Sequence, residues 1–162
     1  KVFSIVENRF PQINLKAGVS KAYEKIEDFH NSLAEAEQAM NSPKPQSIVF
    51  YEELGFLGAL IENFDAAKLI EICKKELGEL LLDDEKNKQL LYTLYIYLKN
   101  NQKLEKTMQD LSLSIGGIRY RIEKIEKILN KNLKDASTAA HVLLLIETLL
   151  LIDAISFAEI KG

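Results

Sequence analysis

The chain has 162 residues, 47% of them apolar and 28% charged, with a net charge of −3 and a sequence pI near 5.5. This is the composition of a soluble globular protein with a buried core, and it excludes a low-hydrophobicity disordered chain and, taken whole, a simple basic nucleic-acid binder. The average hides a split: from Lys86 to Asp135 eleven Lys/Arg face five Asp/Glu, a local charge of +6, which leaves −9 on the remainder. A basic segment in an acidic chain is an electrostatic footprint for which phosphate is a natural partner.

Val2-Phe3-Ser4-Ile5-Val6 is β-branched and aromatic and reads as a strand, and Ile13 to Val19 as a second, with Asn8-Arg9-Phe10-Pro11 as a hairpin connection between them. The opening is too short and too polar on its far side for a signal peptide. With no initiator Met, the chain reads as a piece cut from something longer. Ser20 caps a predicted helix to about Met40, with apolar residues at helical spacing from Ala22 to Met40, and Asn41-Ser42-Pro43-Lys44-Pro45 ends it. Ser47 to Tyr51 reads as a third strand, followed by helices near Leu54–Ile61 and from Ala66 to Leu82. Asp83-Asp84-Glu85 sits at a join and favours the positive end of the next helix. A domain boundary is therefore expected near residue 84, dividing the chain into residues 1–84 and 85–162.

The second part reads as helices only. Lys86 to Lys99 carries the stripe Leu90, Leu91, Leu94 and Leu98, and Asn100-Asn101 stops it. Lys103 to Asp110 is a short helix, Ser112-Leu113 a turn, and Ser114 the N-cap of a helix from Ile115 to about Asn130. The buried stripe of that helix is Ile118, Ile122, Ile125 and Leu129; the opposite face holds Gly116, Tyr120, Lys124 and Lys127, with Arg119 and Arg121 on its flanks. Two short helices joined by a tight turn, the second basic, form the helix-turn-helix pattern, whose second helix enters the major groove of double-stranded DNA. The flanking Arg and Lys are expected on phosphates. The plain alternative is a four-helix packing unit with a solvated basic face. The last helix, about Ala136 to Ala158, is apolar on so many sides that part of it is expected against another protomer or the preceding domain.

Other chemistry finds little support. His30 and His141 are far apart and no Cys/His/Asp cluster has metal-ligand spacing, so no metal or cofactor is expected. Cys73 is a lone cysteine, consistent with a reducing cytoplasm. Tyr92, Tyr95 and Tyr97 are read as packing residues rather than base-stacking ones. The most apolar run, Val142 to Ile152, is shorter than a membrane span and broken by Glu147.

Leu90-Leu91-Tyr92-Thr93-Leu94 with Tyr97-Leu98, Asn100-Asn101, Leu104 with Thr107, and above all Ile118-Arg119-Tyr120-Arg121-Ile122-Glu123-Lys124-Ile125 resemble the C-terminal helix-turn-helix of the PucR/CdaR family of bacterial regulators, with its L-R-Y-R-L-x-x-I signature. Upstream, Ala17-Gly18-Val19-Ser20, Ser32-Leu33-Ala34-Glu35-Ala36, Phe50-Tyr51-Glu52-Glu53-Leu54-Gly55 and Leu77-Gly78-Glu79-Leu80-Leu81 resemble the second half of the family's GGDEF-like domain. The resemblance implies an α+β, mostly α chain: a partial GGDEF-like α/β piece and then an all-helical DNA-binding domain. It implies a cytoplasmic, non-enzymatic transcription regulator, a homodimer on DNA, and a sensor domain further upstream. The DNA-binding residues it points to are Ser114, Gly116, Gly117, Arg119, Tyr120, Arg121 and Lys124. One departure stands at the reading head. The family opens this helix with His, a variable residue, Asn and Thr or Ser, where this chain has Ser114-Ile115-Gly116-Gly117. Glycine offers no side chain to a base, so the alternative is a degenerate helix-turn-helix serving dimerisation or protein docking.

Overall fold

The computed structural model describes residues 5–6, 9–10, 15–42, 44 and 46–157. It divides into two compact units, one of residues up to 65 with Leu150–Ala154, the other of Ala66–Leu149 with the residues from Ile155 on. The class expected from sequence holds: a small two-stranded sheet followed by helices.

In the first unit β1 (Ala17–Val19) and β2 (Ile48–Phe50) pair in parallel, with Ala17 opposite Ile48, Gly18 opposite Val49 and Val19 opposite Phe50. Parallel pairing needs a crossover. It is supplied by α1 (Phe29–Asn41), entered through a 3-10 turn at Ile26–Asp28. Gly18 permits the contact between strand and helix: a Cβ there would lie 1.8 Å from the Ala36 carbonyl oxygen and 2.6 Å from the Met40 nitrogen. This topology corrects the hairpin expectation. Ile5, Val6 and Arg9 are helical rather than extended, and the Phe10 N–H donates to the Val6 carbonyl at 2.9 Å. Val2 to Ser4, and Asn8 and Pro11 of the expected connection, lie outside the described residues. The second strand starts at Ala17, with Leu15 and Lys16 irregular. A further 3-10 turn (Tyr51–Leu54), then Gly55 at φ +57°, lead into α2 (Phe56–Asn63).

Helix α1 also starts later than expected, because Ser20 does not cap it. The Ser20 hydroxyl meets Ser32 Oγ at 2.8 Å, and the next N–H, that of Lys21, donates to Glu35 Oε2 at 2.9 Å. Glu35 is buried; it also accepts from the Tyr23 hydroxyl at 2.6 Å and pairs with Lys21 Nζ at 3.4 Å. The segment after Ser20 is thus held across α1 instead of continuing into it.

The second unit is all helical: α3 (Ala66–Leu77), α4 (Glu85–Lys99), α5 (Leu104–Leu111), α6 (Ile115–Leu129) and α7 (Ala136–Leu151), whose last two residues belong to the first unit. The expected helix to Leu82 instead ends at Leu77, and Gly78 (φ +53°) opens a 3-10 turn over Gly78–Leu81. Its core is aliphatic, with Leu77, Leu80, Leu94, Ile118, Ile125, Leu133, Val142 and Ile146 fully buried. Cys73 is buried here, its thiol 3.7 Å from the Leu145 carbonyl, and burial pushes its pKa up. No large apolar residue of α7 is among the exposed ones. No described helix is long and apolar enough to cross a membrane.

Candidate nucleic-acid interface

The site is assembled by caps and corners. Asp84 Oδ1 accepts from the Asn87 N–H at 2.9 Å and starts α4. Asn100 ends it, and the chain turns through Asn101 and Gln102, both at positive φ (51° and 63°). The buried Asn100 amide donates to Asp110 Oδ2 at 2.7 Å, fixing α5 against the end of α4, while the Gln102 amide donates to the Leu133 carbonyl at 2.8 Å. Thr107, fully buried, is the inward residue of α5; Leu104, Met108 and Leu111 are half-buried. Ser112 closes α5 in the left-handed conformation (φ 52°), and Ser114 caps α6, its Oγ accepting from the Gly117 N–H at 3.1 Å. Ile118, Ile122, Ile125 and Leu129 are buried along α6, as the stripe predicts. At its far end Glu126 Oε1 accepts from the Leu133 N–H at 2.8 Å, and Lys131 pairs with Glu76 at 2.9 Å. The Lys131 ammonium, first through its hydrogen bond and then its charge, holds the Glu76 carboxyl below its ordinary value.

The seven residues singled out from sequence all lie along the first three turns of α6, but they do not share one environment. Gly116, Arg119 and Tyr120 are exposed, Tyr120 at 68%. A Cβ on Gly116 would meet nothing within 4 Å, whereas one on Gly117 would lie 3.2 Å from Ser114 Oγ. Lys124 is half-buried beside Lys86 of α4. That neighbouring ammonium, first by direct approach, then with desolvation and its charge, lowers the Lys124 pKa against a smaller opposing effect of Asp84. Arg121 turns the other way, towards α4: its guanidinium donates to Thr93 Oγ1 at 2.9 Å and to Gln89 Oε1 at 3.5 Å. The residues that reasoning from sequence did not place at the site are therefore Thr93, Gln89 and Lys86, all partners on α4. A weak signal existed for Thr93, a polar residue inside the Leu90/Leu91/Leu94 stripe.

Tyr92 and Tyr95 pack on Phe157 with ring centroids 5.1 and 5.3 Å apart, and Tyr97 is buried, as expected of packing residues. Burial pushes all three phenols up. His141 lies 3.8 Å from Glu76. Among the described residues no three His, Cys, Asp or Glu gather where they would hold a metal.

Comparison with known proteins fits this geometry. Residues 90–148, from α4 into α7, match the family described as the PucR C-terminal helix-turn-helix domain. The chain is also similar to the purine catabolism regulatory protein of Bacillus subtilis (strain 168), 28% identical over 131 residues that cover 77% of this chain and 24% of that protein. The chain thus spans about a quarter of that relative's length. No solved structure gives a significant match.

Proposed function

We propose, from the premise that residues 90–148 are a PucR C-terminal helix-turn-helix domain, that this chain is a DNA-binding transcriptional regulator of the PucR/CdaR type which reads DNA with α6. The observation that carries the reading is the exposed face of α6, with Gly116, Arg119 and Tyr120 outward at its N-terminal end while Ile118, Ile122 and Ile125 are buried behind them. A recognition helix presents its N-terminal residues to base edges in this way. Arg119 is a phosphate or guanine ligand, and Tyr120 offers its ring to thymine methyls and its hydroxyl to base edges. The Lys86–Lys124 pair concentrates positive charge where a phosphate neutralises it. Ser114 and Gly117 shape the helix start and bring their backbone towards the duplex.

In this proposal the DNA-binding domain covers residues 85–162, and residues 1–84 are a partial GGDEF-like domain with connecting helices. The crossover β1-α1-β2 suits an α/β piece. Ile48 and Phe50, 42% and 47% exposed on one side of β2, suit a sheet with a further layer, since parallel sheets are ordinarily covered on both faces. The regulator works as a cytoplasmic homodimer on paired half-sites, under an upstream sensor domain, and catalyses no reaction.

A second reading is favoured by one observation. Gly116 leaves the middle of the reading face without a side chain, as in a helix-turn-helix kept for dimerisation or protein docking. Selection of bound duplexes from a fragmented genomic library, at two salt concentrations, separates the two. The regulator reading expects enrichment of one site, with binding weakened by salt and lost in the Arg119→Ala, Tyr120→Ala double variant. A folded chain that retains no duplex at either salt concentration overturns it in favour of docking.

A further inference from the structure

The two arginines of the Arg119-Tyr120-Arg121 stretch sit in different surroundings. They lie about 160° apart around α6, one on each flank of its buried stripe. Arg119 is exposed and has no hydrogen-bond or ion-pair partner among the described residues. Arg121 faces α4, and its acceptors there are already organised. The Thr93 hydroxyl is fully buried and spends its hydrogen on the Gln89 carbonyl at 2.7 Å, so that its oxygen is left to receive the Arg121 N–H at 2.9 Å. Gln89 turns its side-chain oxygen to Arg121 at 3.5 Å while its amide donates to Glu85 Oε1 at 3.1 Å. The guanidinium fork thus ties one face of α6 to two successive turns of α4, next to the buried Ile118 and Ile122. A planar fork held by two acceptors fixes rotation about the helix axis as well as distance. Swinging Arg121 out to a phosphate breaks both bonds.

The geometry points to Arg121 as a positioning residue. Through Thr93 and Gln89 it sets the angle at which α6 presents Gly116, Arg119 and Tyr120 to the major groove, and it makes no phosphate contact itself. This rests on the DNA-reading proposal above and assigns the second basic residue of the stretch to the protein rather than to DNA.

The test measures binding of the whole chain to two duplexes, the one enriched by the genomic selection and one of mixed sequence, over a range of salt. The variants are Arg121→Gln, Arg121→Lys, Thr93→Val, the double variant Arg121→Gln with Thr93→Val, and Arg119→Gln as reference, each checked for native helix content by circular dichroism. A positioning residue expects Arg121→Gln to lose about tenfold in preference for the selected duplex. Mixed-sequence affinity and salt slope stay as in the wild type. Thr93→Val, which removes the acceptor and no charge, gives the same loss, and the double variant is no worse than either single one. Arg121→Lys keeps the charge without the fork and does not restore the preference. Arg119→Gln, by contrast, weakens both duplexes and cuts the slope of log affinity against log salt by about 0.9, the effect of one lost phosphate contact.

The inference is overturned if Arg121→Gln behaves as Arg119→Gln does, or if Arg121→Lys restores full binding. It is equally overturned if the folded Arg121→Gln variant binds both duplexes as the wild type does, which leaves Arg121 a merely structural tie. A wild-type chain that binds neither duplex, or binds both alike, overturns the DNA-reading proposal first and this inference with it.

Discussion

Gly116 is the residue on which the character of the reading face turns. Its backbone does not need glycine: it lies in regular helix, and a Cβ would point into open space. The side chain most informative to place there is asparagine, the third residue of the resembling family's His-x-Asn-Thr/Ser helix start, which the proposed reading would turn towards the bases. An asparagine bonded bidentately to adenine contributes about 1–3 kcal/mol of discrimination. Gly116→Asn is therefore expected to sharpen site preference by roughly tenfold or more, and Gly116→Ala to stabilise α6 by up to about 1 kcal/mol without sharpening anything. Competition binding against single-base variants of the selected site measures the first, urea unfolding the second. An Asn variant as indifferent to sequence as the Ala variant would mean that the N-terminal end of α6 does not meet bases. What was legible at this scale was local. The Ser114 cap and the buried stripe follow from spacing alone and are found where expected; of the outward face Gly116, Tyr120 and Lys127 are exposed, while Lys124 is half-buried beside Lys86. The fate of Arg121 was not legible, because on a helical wheel it mirrors Arg119. What separates them is Thr93, 28 residues earlier in the chain.

At the scale of elements, α4, α5 and α6 could be read almost to the residue because local punctuation bounds them, whereas α3 stops at Leu77 instead of Leu82 and α7 stops at Leu151, earlier than expected. Asp84 starts α4, Asn100-Asn101 stops it, Ser114 starts α6, and Asp135 starts α7 by accepting from the Thr138 N–H at 2.7 Å. The first unit is so marked only where α1 stops, at Asn41-Ser42. Its strands are three residues long, their pairing spans 31 positions of sequence (Ala17 with Ile48), and a parallel ladder leaves no turn motif to recognise, so that pairing had no local signal. The late start of α1 is likewise non-local, since Glu35 from within the helix captures the Lys21 N–H. The corner between α4 and α5 shows what the punctuation does energetically. Asn100 is 5% exposed and its amide reaches a carboxylate, a charge-assisted bond. Asn100→Ala is expected to cost about 2 kcal/mol in urea unfolding. It should weaken DNA binding as well, since α5 loses its tie at the turn that feeds α6. A cost below about 0.5 kcal/mol, the size expected at an undistinguished surface position, would show that the two positive-φ residues after Asn100 hold the corner by themselves.

For the whole molecule, the two units keep charge in different ways, and acid separates them. In the second unit the core is aliphatic and its ion pairs, such as Lys99–Glu147 and Lys131–Glu76, sit at the surface, where each contributes little. The first unit buries a carboxylate. Burial by itself raises the pKa of Glu35, but hydrogen bonds from the Tyr23 hydroxyl and from the Lys21 backbone and ammonium, with the Lys21 charge, outweigh it and hold the group below its ordinary 4.5. Lys21 also pairs with Glu62 at 3.3 Å, so its ammonium is shared between two carboxylates. A carboxyl whose pKa is lower folded than unfolded stabilises fully above its unfolded value, and that stability is lost as pH falls through the folded value. The same hydrogen bond, seen from its other end, lifts Tyr23 to about 12, so its contribution is complete below the ordinary tyrosine value of 10 and disappears as pH rises through 12. The first unit is thus expected to be intact across neutral pH and to loosen below about 4.5, before the second. Hydrogen exchange read on peptides from 29–41 and 115–129 over falling pH measures this directly. The α1 peptides should lose protection first, and Glu35→Gln, which cannot ionise and gives up the charged pairing with Lys21, should be less protected at pH 7 and nearly flat with pH. Loss of protection in both segments at one pH, unchanged in Glu35→Gln, would mean that acid acts on the chain's summed charge and not on this buried carboxylate.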